Sequence, residues 1–542
     1  MRRLLRVSCR FLVQPKKIET TQRRLVHGKS TKVGNVLDST IRREMILQDN
    51  DLYYPTIDEA RSNSLNVMRV NQFRSQFLNQ NYQNMANKMN ENENVTLEGR
   101  ISSIRKAGRA MYFIDVLQDD VKVQFVANSK LMNLEPKIFD EIHSFLKKGD
   151  IISGSGHPGV SNSGELSLKL KHAVKLLVPR LSELPNKLIE KKNINSNRVK
   201  NYLVNPNSRD AIVIKSKIIQ SIRLFLLKNQ FLEVSTPILS GEGTGANAKP
   251  FNAKFQDSPV QLRVAPELWL KKLVIGGFDK IFEIGQNFRN EGIDGTHNPE
   301  FTSCEFYQTY TSLSQLMDIT EEMFGNIYHD LTNGTNDIEH LVKFTTKFPK
   351  FEFIPTIEAK TGKKLPNILN SENLQQYYQQ LGIEIPDNKS PQNLLDTLSG
   401  IYLESISELP EYKNTPIIIF NQPEVLSPLA KSRKIVYHDD EYQISSRFEL
   451  FINGKEYVNA YEEENNPICQ LAKFKNQQMT KMEYNDDESL IPDWEYVKTM
   501  EFALPPTGGW GCGIDRLAML FSNAERIDEV LPFGNLRDVQ KQ

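Results

Sequence analysis

Five residues in one short segment, residues 282–307, have side chains of the kinds that bind nucleotides. An arginine offers a planar pair of donors to a phosphate, and an aromatic ring offers a flat face to a base. The ends of the segment alternate like strands, whereas its middle is rich in Asn, Gly, Asp and Pro, as loops are. The segment predicts a strand–loop–strand platform for a large anionic ligand, although a solvated polar hairpin would have a similar sequence. The five residues are Arg289, Glu291, His297, Phe301 and Glu305.

A glycine-rich stretch near the C-terminus, residues 508–521, is a second candidate for ligand contact. Its glycines at positions 508, 509, 511 and 513 allow a backbone to approach a ligand closely, and an apolar helical pattern follows them. Arg516 lies at the predicted strand-to-helix junction, where its guanidinium can stack on a base. The simpler alternative, in which Arg516 only pairs with Asp515 or Glu525, leaves the glycines without a purpose.

Two carboxylates flank a predicted hairpin in residues 447–463. Asn453-Gly454 is a strong two-residue turn signal, so Glu449 and Glu456 are expected on neighbouring strands. A pair of carboxylates held in this way suits Mg²⁺, which prefers a few hard oxygen ligands together with substrate phosphates. An exposed charged hairpin is the alternative for this segment taken alone.

These segments together resemble the class II aminoacyl-tRNA synthetases, and their sequences are most similar to those of the lysyl-tRNA synthetases. The resemblance covers residues 95–536 and implies that the ligand is ATP and the metal Mg²⁺. In that family the matching arginines are catalytic, which would make Arg289 and Arg516 catalytic here. The resemblance implies that Arg289 contacts the α-phosphate of ATP and that His297 lies near the γ-phosphate. It implies that Glu291 recognises adenine, and that Phe301 and Arg516 cover its two faces. Glu449, also an implied ATP contact, would bind the metal together with Glu456.

The choice of amino acid is argued from charge. A lysine side chain is a cation at neutral pH, so its pocket needs carboxylates where an aspartate pocket needs arginine or lysine. The resemblance implies that two glutamates contact the ammonium groups of lysine, that a tyrosine bonds its side chain, and that a glycine approaches it through backbone. The implied lysine-binding residues are Gly245, Glu267, Glu305, Tyr307, Asn459, Tyr461 and Glu463.

The acidic run at positions 462–464 departs from the family pattern, in which an apolar residue follows the pocket glutamate. The neighbouring Asn459 and Tyr461 favour Glu463, but Glu462 and Glu464 remain alternatives. Two other functions also stay open. Aspartyl and asparaginyl enzymes share this architecture, and a non-catalytic, synthetase-like RNA-binding protein would have lost some of the residues that are present here.

An apolar helix predicted for residues 208–229 is followed by a short strand, residues 231–239, that contains Pro237. Because proline cannot donate to a ladder, this strand must lie at an edge or end. The pair resembles motif 1 of the family, whose proline lies at the homodimer interface. A homodimer through the region around Pro237 is therefore expected.

The region of residues 93–178 contains five strand-like runs with a helix after the third, a pattern typical of the OB-fold. It resembles the anticodon-binding domain of the lysyl, aspartyl and asparaginyl enzymes, which implies tRNA(Lys) as a partner. Phe113 would stack on a splayed base while polar residues read base edges, unless Phe113 is simply barrel core. The implied anticodon contacts are Arg100, Phe113, Gln124 and Glu165.

The first residues differ in character from the rest. Residues 1–18 carry arginines and lysines between apolar residues and contain no acid, which is typical of a transit peptide; a basic RNA-binding tail is the alternative. A mitochondrial matrix enzyme is therefore expected. Lys plus Arg and Asp plus Glu number 67 each, so the attraction to tRNA must come from local patches such as residues 187–200. The four cysteines have no paired spacing, and no apolar run is long enough to span a bilayer.

The predicted fold class is α+β, with an N-terminal five-stranded OB-fold β-barrel and a class II catalytic domain that has an antiparallel sheet flanked by helices. Residues 343–410 are expected to form a helical insertion in that domain, which either touches the tRNA acceptor stem or is merely solvated. The predicted divisions are 1–30 presequence, 31–92 helical extension, 93–178 OB-fold domain, 179–206 linker and 207–542 catalytic domain.

Overall fold

The computed structural model describes residues 42–540, except 49, 51–52, 63, 65, 84, 86–87, 242–247, 333–343, 345–346 and 485–491. The chain divides into two compact units, Met1–Asn186 and Lys187–Gln542. The predicted presequence, residues 1–30, lies outside the described residues. Among the helices of the described chain, none has the length and apolar character needed to cross a bilayer.

The first unit is an OB-fold barrel, as predicted. Strands β1 to β5 form it in the order β1-β2-β3-β5-β4, and β1 also pairs with β4. A further strand, β6, extends the sheet beyond β4, which the sequence did not predict. The strands are β1 (Val95–Lys106), β2 (Met111–Gln118), β3 (Val121–Asn128), β4 (Ile151–Val160), β5 (Leu166–Leu170) and β6 (Lys175–Val178), and the helices are α1 (Ile57–Arg61), α2 (Val70–Phe77) and α3 (Pro136–Ser144).

The barrel core includes residues from the predicted extension. Val70, Phe73 and Phe77 lie on one face of α2 and are buried against core residues of the barrel such as Val123 and Phe125. Spacing of three, four and seven residues places them on one helical stripe. This helix therefore belongs to the compact unit of the barrel, although the predicted barrel boundary was residue 93.

The second unit contains the remaining elements. Its helices are α4 (Lys191–Ser196), α5 (Arg198–Val204), α6 (Asp210–Lys228), α7 (Glu267–Ile275), α8 (Leu313–Thr332), α9 (Phe353–Thr361), α10 (Ser371–Leu381), α11 (Pro391–Tyr402), α12 (Pro467–Tyr484), α13 (Trp494–Met500), α14 (Ile514–Ser522), α15 (Ile527–Val530) and α16 (Leu536–Gln540). Its short 3₁₀ helices are Pro206–Arg209, Glu404–Glu408, Pro410–Tyr412 and Glu424–Leu426. Its strands are β7 (Leu232–Glu233), β8 (Leu239–Ser240), β9 (Asn252–Phe255), β10 (Ser258–Leu262), β11 (Lys280–Phe288), β12 (Glu300–Thr309), β13 (Lys350–Glu352), β14 (Ile417–Phe420), β15 (Ser432–Tyr437), β16 (Asp440–Ser445), β17 (Arg447–Ile452), β18 (Lys455–Glu462) and β19 (Thr507–Gly513).

The central sheet has the order β13-β14-β17-β18-β19-β12-β11-β7. The strands from β14 to β11 pair antiparallel, as predicted, but both edge strands, β13 and β7, pair parallel to their neighbours, so the sheet is mixed. One face packs on α6, α8 and α14, where Phe306, Trp510 and Leu517 belong to one buried cluster. Side chains alternate along each strand, so the intervening residues of β12 and β18 occupy the other face.

The predicted insertion contributes to the sheet and has a core of its own. Helices α9, α10 and α11 bury Ile354, Tyr378 and Leu395 against Ile417 and Ile419 of strand β14. Strand β13 lies in this segment and forms one edge of the sheet. The segment is therefore integrated with the central sheet on one side.

Candidate active site

A cavity of about 450 Å³ lies on the face of the central sheet opposite the α6–α8–α14 core. Most of the residues predicted to bind ligands line it. They come from β12 and β18, from the loop between β11 and β12, and from the first turns of α7 and α14. The predicted residues that line it are Glu267, Arg289, Glu291, His297, Phe301, Glu305, Tyr307, Glu456, Asn459, Tyr461 and Arg516.

One end of the cavity is cationic and aromatic. The guanidinium carbon of Arg289 lies 5.1 Å from the centre of the Phe301 ring. Burial lowers the pKa of Arg289, while Glu291, Glu456 and Glu305 act in the opposite direction. Its Nε is buried and has no hydrogen-bond partner in the described part of the chain. A buried donor without an acceptor is costly, so this end is built for an acceptor that a ligand supplies.

Arg516 faces the same end from the first turn of α14. Its guanidinium donates to the carbonyl of Glu456 at 3.0 Å and to Nε2 of His297 at 2.6 Å. Because a guanidinium only donates, Nε2 of His297 accepts, and Nδ1 donates to Asp294 at 2.8 Å. Burial raises the pKa of Asp294, but hydrogen bonds from Thr296 and His297 bring it down to about 2. The loop thus holds His297 and Arg516 in one connected arrangement.

The two predicted metal ligands lie on the hairpin of β17 and β18. Asn453 and Gly454 have φ of +50° and +72°, as a two-residue turn of this kind requires. Glu449 is fixed by Gln422, which donates to its Oε2 at 2.5 Å, and by an ion pair with Arg447.

The donor set of this hairpin fits Mg²⁺. Burial and the neighbouring Glu449 carboxylate raise the pKa of Glu456, as expected for two carboxylates that lie near each other. Among the described residues there is no group of three or more metal-ligating side chains. In nucleotide sites Mg²⁺ is commonly bound by one or two carboxylates together with oxygens of the substrate phosphates.

The other end of the cavity is acidic and lined by tyrosines. The Tyr307 hydroxyl donates to Oε2 of Glu305 at 3.1 Å, and the Tyr461 hydroxyl donates to Oε1 of Glu267 at 2.6 Å. Burial, and then the Glu267 carboxylate, raise the pKa of Glu305 to about 8. Buried carboxylates collected without enough cations are destabilised as anions, so this end is suited to a cationic ligand.

The acidic run at 462–464 has one member next to this end, Glu463, although that residue does not line the cavity itself. The side chain of Glu463 is fully buried and forms an ion pair with Lys271. Glu462 instead accepts from the backbone of Leu313 at 2.8 Å, and Glu464 bridges Lys431 and Lys473 at 3.0 and 3.1 Å. Of the three candidates, Glu463 is the residue next to the Glu267 cluster, whereas Gly245 lies outside the described residues.

The backbone of β19 packs directly against side chains near the acidic end of the cavity. A Cβ atom added to Gly509 would lie 2.1 Å from Oε1 of Glu463 and 2.7 Å from Cε1 of Tyr307. These distances are far below van der Waals contact, so position 509 must be glycine for both side chains to keep their places. At Gly511 the added atom would meet ordinary contacts, the nearest at 3.6 Å from Glu305.

Two residues that the sequence analysis missed organise the site. Arg447 donates to Oδ1 of Asn459 at 2.9 Å, to the carbonyl of Leu426 at 2.9 Å, and pairs with Glu449. Lys271 is the second, buried against Glu267 and Glu463. The only sequence signal for Lys271 was its spacing of four residues from Glu267 on a predicted helix, which is equally typical of a surface pair.

The predicted anticodon residues share one surface of the barrel. Gln124 on β3 lies opposite Asp115 on β2, and Phe113 on β2 lies opposite Arg105 on β1. The guanidinium carbon of Arg105 is 5.5 Å from the centre of the Phe113 ring. Phe113 is half-buried and is not part of the barrel core cluster. Gln124 is buried and donates to Asp115 at 3.4 Å.

The two other predicted contacts have protein partners. Arg100 donates to the carbonyl of Gly149 at 2.8 Å, and Glu165 pairs with Lys122 at 3.3 Å. Burial lowers the pKa of Arg100, and Asp150 acts in the opposite direction. Both side chains are held by the barrel before any ligand arrives.

Residues 191–537, more than half of the chain, match the family described as tRNA synthetases class II (D, K and N). Residues 95–176 match the OB-fold nucleic acid binding domain. With the fold and site described above, the chain belongs to the class II tRNA synthetases of this group.

Three of its relatives within the group are lysine enzymes. The chain is 42% identical over 452 residues to the mitochondrial lysine–tRNA ligase of Schizosaccharomyces pombe, covering 82% of this chain and 84% of the relative. It is 38% identical over 561 residues to the mitochondrial lysine–tRNA ligase of Saccharomyces cerevisiae, covering 96% and 95%. The lysine–tRNA ligase of Aliarcobacter butzleri is 36% identical over 480 residues, covering 86% and 92%.

Proposed function

We propose that this chain is a lysine–tRNA ligase, which activates L-lysine with ATP and transfers it to the 3′ end of tRNA(Lys). The observation that carries the choice of lysine is the acidic end of the cavity. Glu267, Glu305 and Glu463 gather there with two tyrosine hydroxyls, and a cationic side chain is the amino acid that this charge favours. The relatives named for lysine support the same assignment.

The cationic end is assigned to ATP. Arg289 would hold the α-phosphate with its unpartnered donor, and Phe301 and Arg516 would enclose adenine, with Glu291 at the base edge and His297 near the γ-phosphate. The lysine carboxylate attacks the α-phosphorus and pyrophosphate leaves, so negative charge accumulates where the two arginines lie. Fixed cations at that point stabilise the transition state without reorganising.

Glu449 and Glu456 would hold Mg²⁺. When bound, the ion would neutralise phosphate charge during adenylate formation. Gln422 and Arg447 keep the Glu449 carboxylate in one orientation. Arg447 also fixes Oδ1 of Asn459, which leaves the amide donors of Asn459 for the carboxylate of the amino acid.

The barrel is assigned to the anticodon of tRNA. Arg105 and Phe113 offer a stacking platform on its outer surface, and Arg100, Gln124 and Glu165 lie on the same side. Single-stranded bases are recognised by such stacking combined with polar contacts to their edges.

The proposal also includes a homodimeric state, and it includes a location in the mitochondrial matrix. Pro237 and its neighbours Ile238 and Leu239 are exposed, and so are Leu224 and Leu227 on α6. A collection of exposed apolar side chains is the signature of an interface. The basic, acid-free N-terminus and the mitochondrial relatives support the location.

The test is ATP–pyrophosphate exchange by the purified chain with each of the twenty amino acids in turn. Exchange with lysine alone is expected. Exchange with aspartate or asparagine would keep the family and overturn the pocket assignment. The absence of exchange with every amino acid would contradict the enzymatic function.

A further inference from the structure

Lys271 is a fully buried lysine that contacts Glu267, a lining residue of the acidic end of the cavity. It lies on α7, one turn after Glu267, and its Nζ is 2.6 Å from Oε1 of Glu267. The same Nζ forms an ion pair with Glu463, whose side chain is also fully buried. The rings of Tyr461 and Tyr496 flank it, with their centres 5.6 and 5.8 Å from Nζ.

This ammonium remains charged in the interior. Burial alone would lower the pKa of Lys271, but the Glu267 and Glu463 carboxylates outweigh it and raise the pKa above its ordinary value. A buried carboxylate pair without this cation would take up protons, because like charges in a dry site cannot both stay ionised. The cation therefore sets the charge of the whole acidic end.

The geometry points to Lys271 as a positioning residue for lysine recognition, a role that rests on the proposed function. It ties Glu267 and Glu463, which come from distant parts of the chain, to one point and places a fixed positive charge between them before the substrate arrives. With Glu305, the three carboxylates and one ammonium have a net charge of minus two when all are ionised. Free lysine brings two ammonium groups, so the net charge of minus two matches the two cationic groups of the substrate, while its carboxylate belongs at the arginine end.

Other groups around Lys271 act on the same carboxylates. Tyr461 lies on β18 and donates to Glu267, and Tyr496 lies on α13. Glu305 and Tyr307 on β12 lie within electrostatic range of Glu463. None of these neighbours is a cation, so Lys271 is the group whose removal leaves Glu267 and Glu463 unneutralised.

The test compares pH profiles of lysine-dependent exchange for the full chain and for Lys271→Met and Lys271→Gln. Without the cation, the pKa of Glu463, which burial already raises and Lys271 lowers, should rise further, so kcat/KM for lysine should fall about tenfold or more near pH 7. The loss should shrink as the pH approaches 9, while the KM for ATP stays within about twofold, because the arginine end is untouched. Lys271→Arg keeps the charge and should keep the shape of the wild-type profile.

The matched control is Lys272→Met, on the next residue of the same helix, where Lys272 pairs with Asp493 at 3.0 Å near the surface. This variant should behave like the wild-type chain. A loss in either Lys271 variant that is equal at every pH, or no loss at all, would overturn the positioning role. If the wild-type chain showed no lysine-dependent exchange, the proposed function would fail instead, so the two failures are distinguishable.

Discussion

At the scale of single residues, the two ends of the cavity differ in what burial does to their charge. Arg289 keeps an unpartnered donor beside an aromatic ring, whereas Glu305 is a carboxyl whose pKa is raised to about 8. The Arg289 donor therefore needs a hydrogen-bond acceptor, and the Glu305 carboxyl needs a cation. An amino acid with a cationic side chain, joined through its carboxylate to a phosphate, satisfies both ends at once.

Arg289→Ala should abolish most adenylate formation without unfolding the protein. Removing one preorganised charge at a developing oxyanion typically costs about 10²- to 10³-fold in kcat. The measurement is lysine-dependent pyrophosphate exchange, with Arg433→Ala as the control, because Arg433 is exposed and outside the cavity lining. Near-normal exchange in the Arg289 variant would refute its assigned role.

Glu305→Gln should weaken lysine far more than ATP. Truncating one member of a buried charge pair costs about 2 kcal/mol or more, or about thirtyfold in affinity. Apparent affinities for the two substrates provide the measurement, with Glu300→Gln, an exposed position on the same strand, as the control. Equal effects on both substrates would show that Glu305 does not face the amino acid.

Lysine binding should release a proton near pH 7. The pKa of Glu305 is about 8 in the free protein, so the carboxyl is mostly protonated below that pH and must ionise to meet an ammonium group. Lysine affinity should therefore rise with pH and level off above about 8. Calorimetry in buffers of different ionisation enthalpy measures the released proton, and Glu305→Gln should remove it. Proton uptake on binding would contradict this sign.

At the scale of elements, local signals were predictable and distant contacts were not. Asn453-Gly454 specifies its own turn, because both residues must adopt positive φ, and that turn brings Glu449 and Glu456 to adjacent strands. The burial of Lys271 depends instead on β18 and α13. Its shared partner Glu267 is 194 residues from Tyr461, which donates to it. No window of sequence around α7 contains that information.

The same reason explains the other differences from prediction. The parallel edge strands β7 and β13 are short, so their pairing is decided by the neighbouring strand and not by their own pattern. Gly509 was expected to let a backbone approach a ligand. In the structure its missing side chain makes room for Tyr307 on β12 and for Glu463, which directly follows β18.

The outer surface of the barrel gives a prediction at this scale. Phe113→Ala should impair the charging of tRNA while adenylate formation stays intact, because a stacked aromatic ring is worth about 1–3 kcal/mol per base. Aminoacylation and pyrophosphate exchange are measured on the same preparation. Leu78→Ala, an exposed apolar residue in the same unit, serves as the control. A parallel fall in both reactions would exclude a role confined to tRNA.

At the scale of the whole molecule, the exposed apolar residues of α6 and the Pro237 segment predict a dimer. Leu224→Asp should convert the dimer to monomer, because a charge buried in an apolar interface lacks a partner. Sedimentation velocity measures the change, and Val436→Asp, at an equally exposed position on β15, should leave the dimer intact. A wild-type chain that sediments as a monomer would contradict the assignment.

The central claim is that one chain selects both lysine and its tRNA. The most direct measurement supplies purified protein with ATP, all twenty amino acids and total mitochondrial tRNA, and then identifies the amino acid and the tRNA in the aminoacyl product. Lysine on tRNA(Lys), and no other pairing, is the expected product. Another amino acid on any tRNA would contradict the acidic pocket, and lysine on many tRNAs would contradict the role of the barrel.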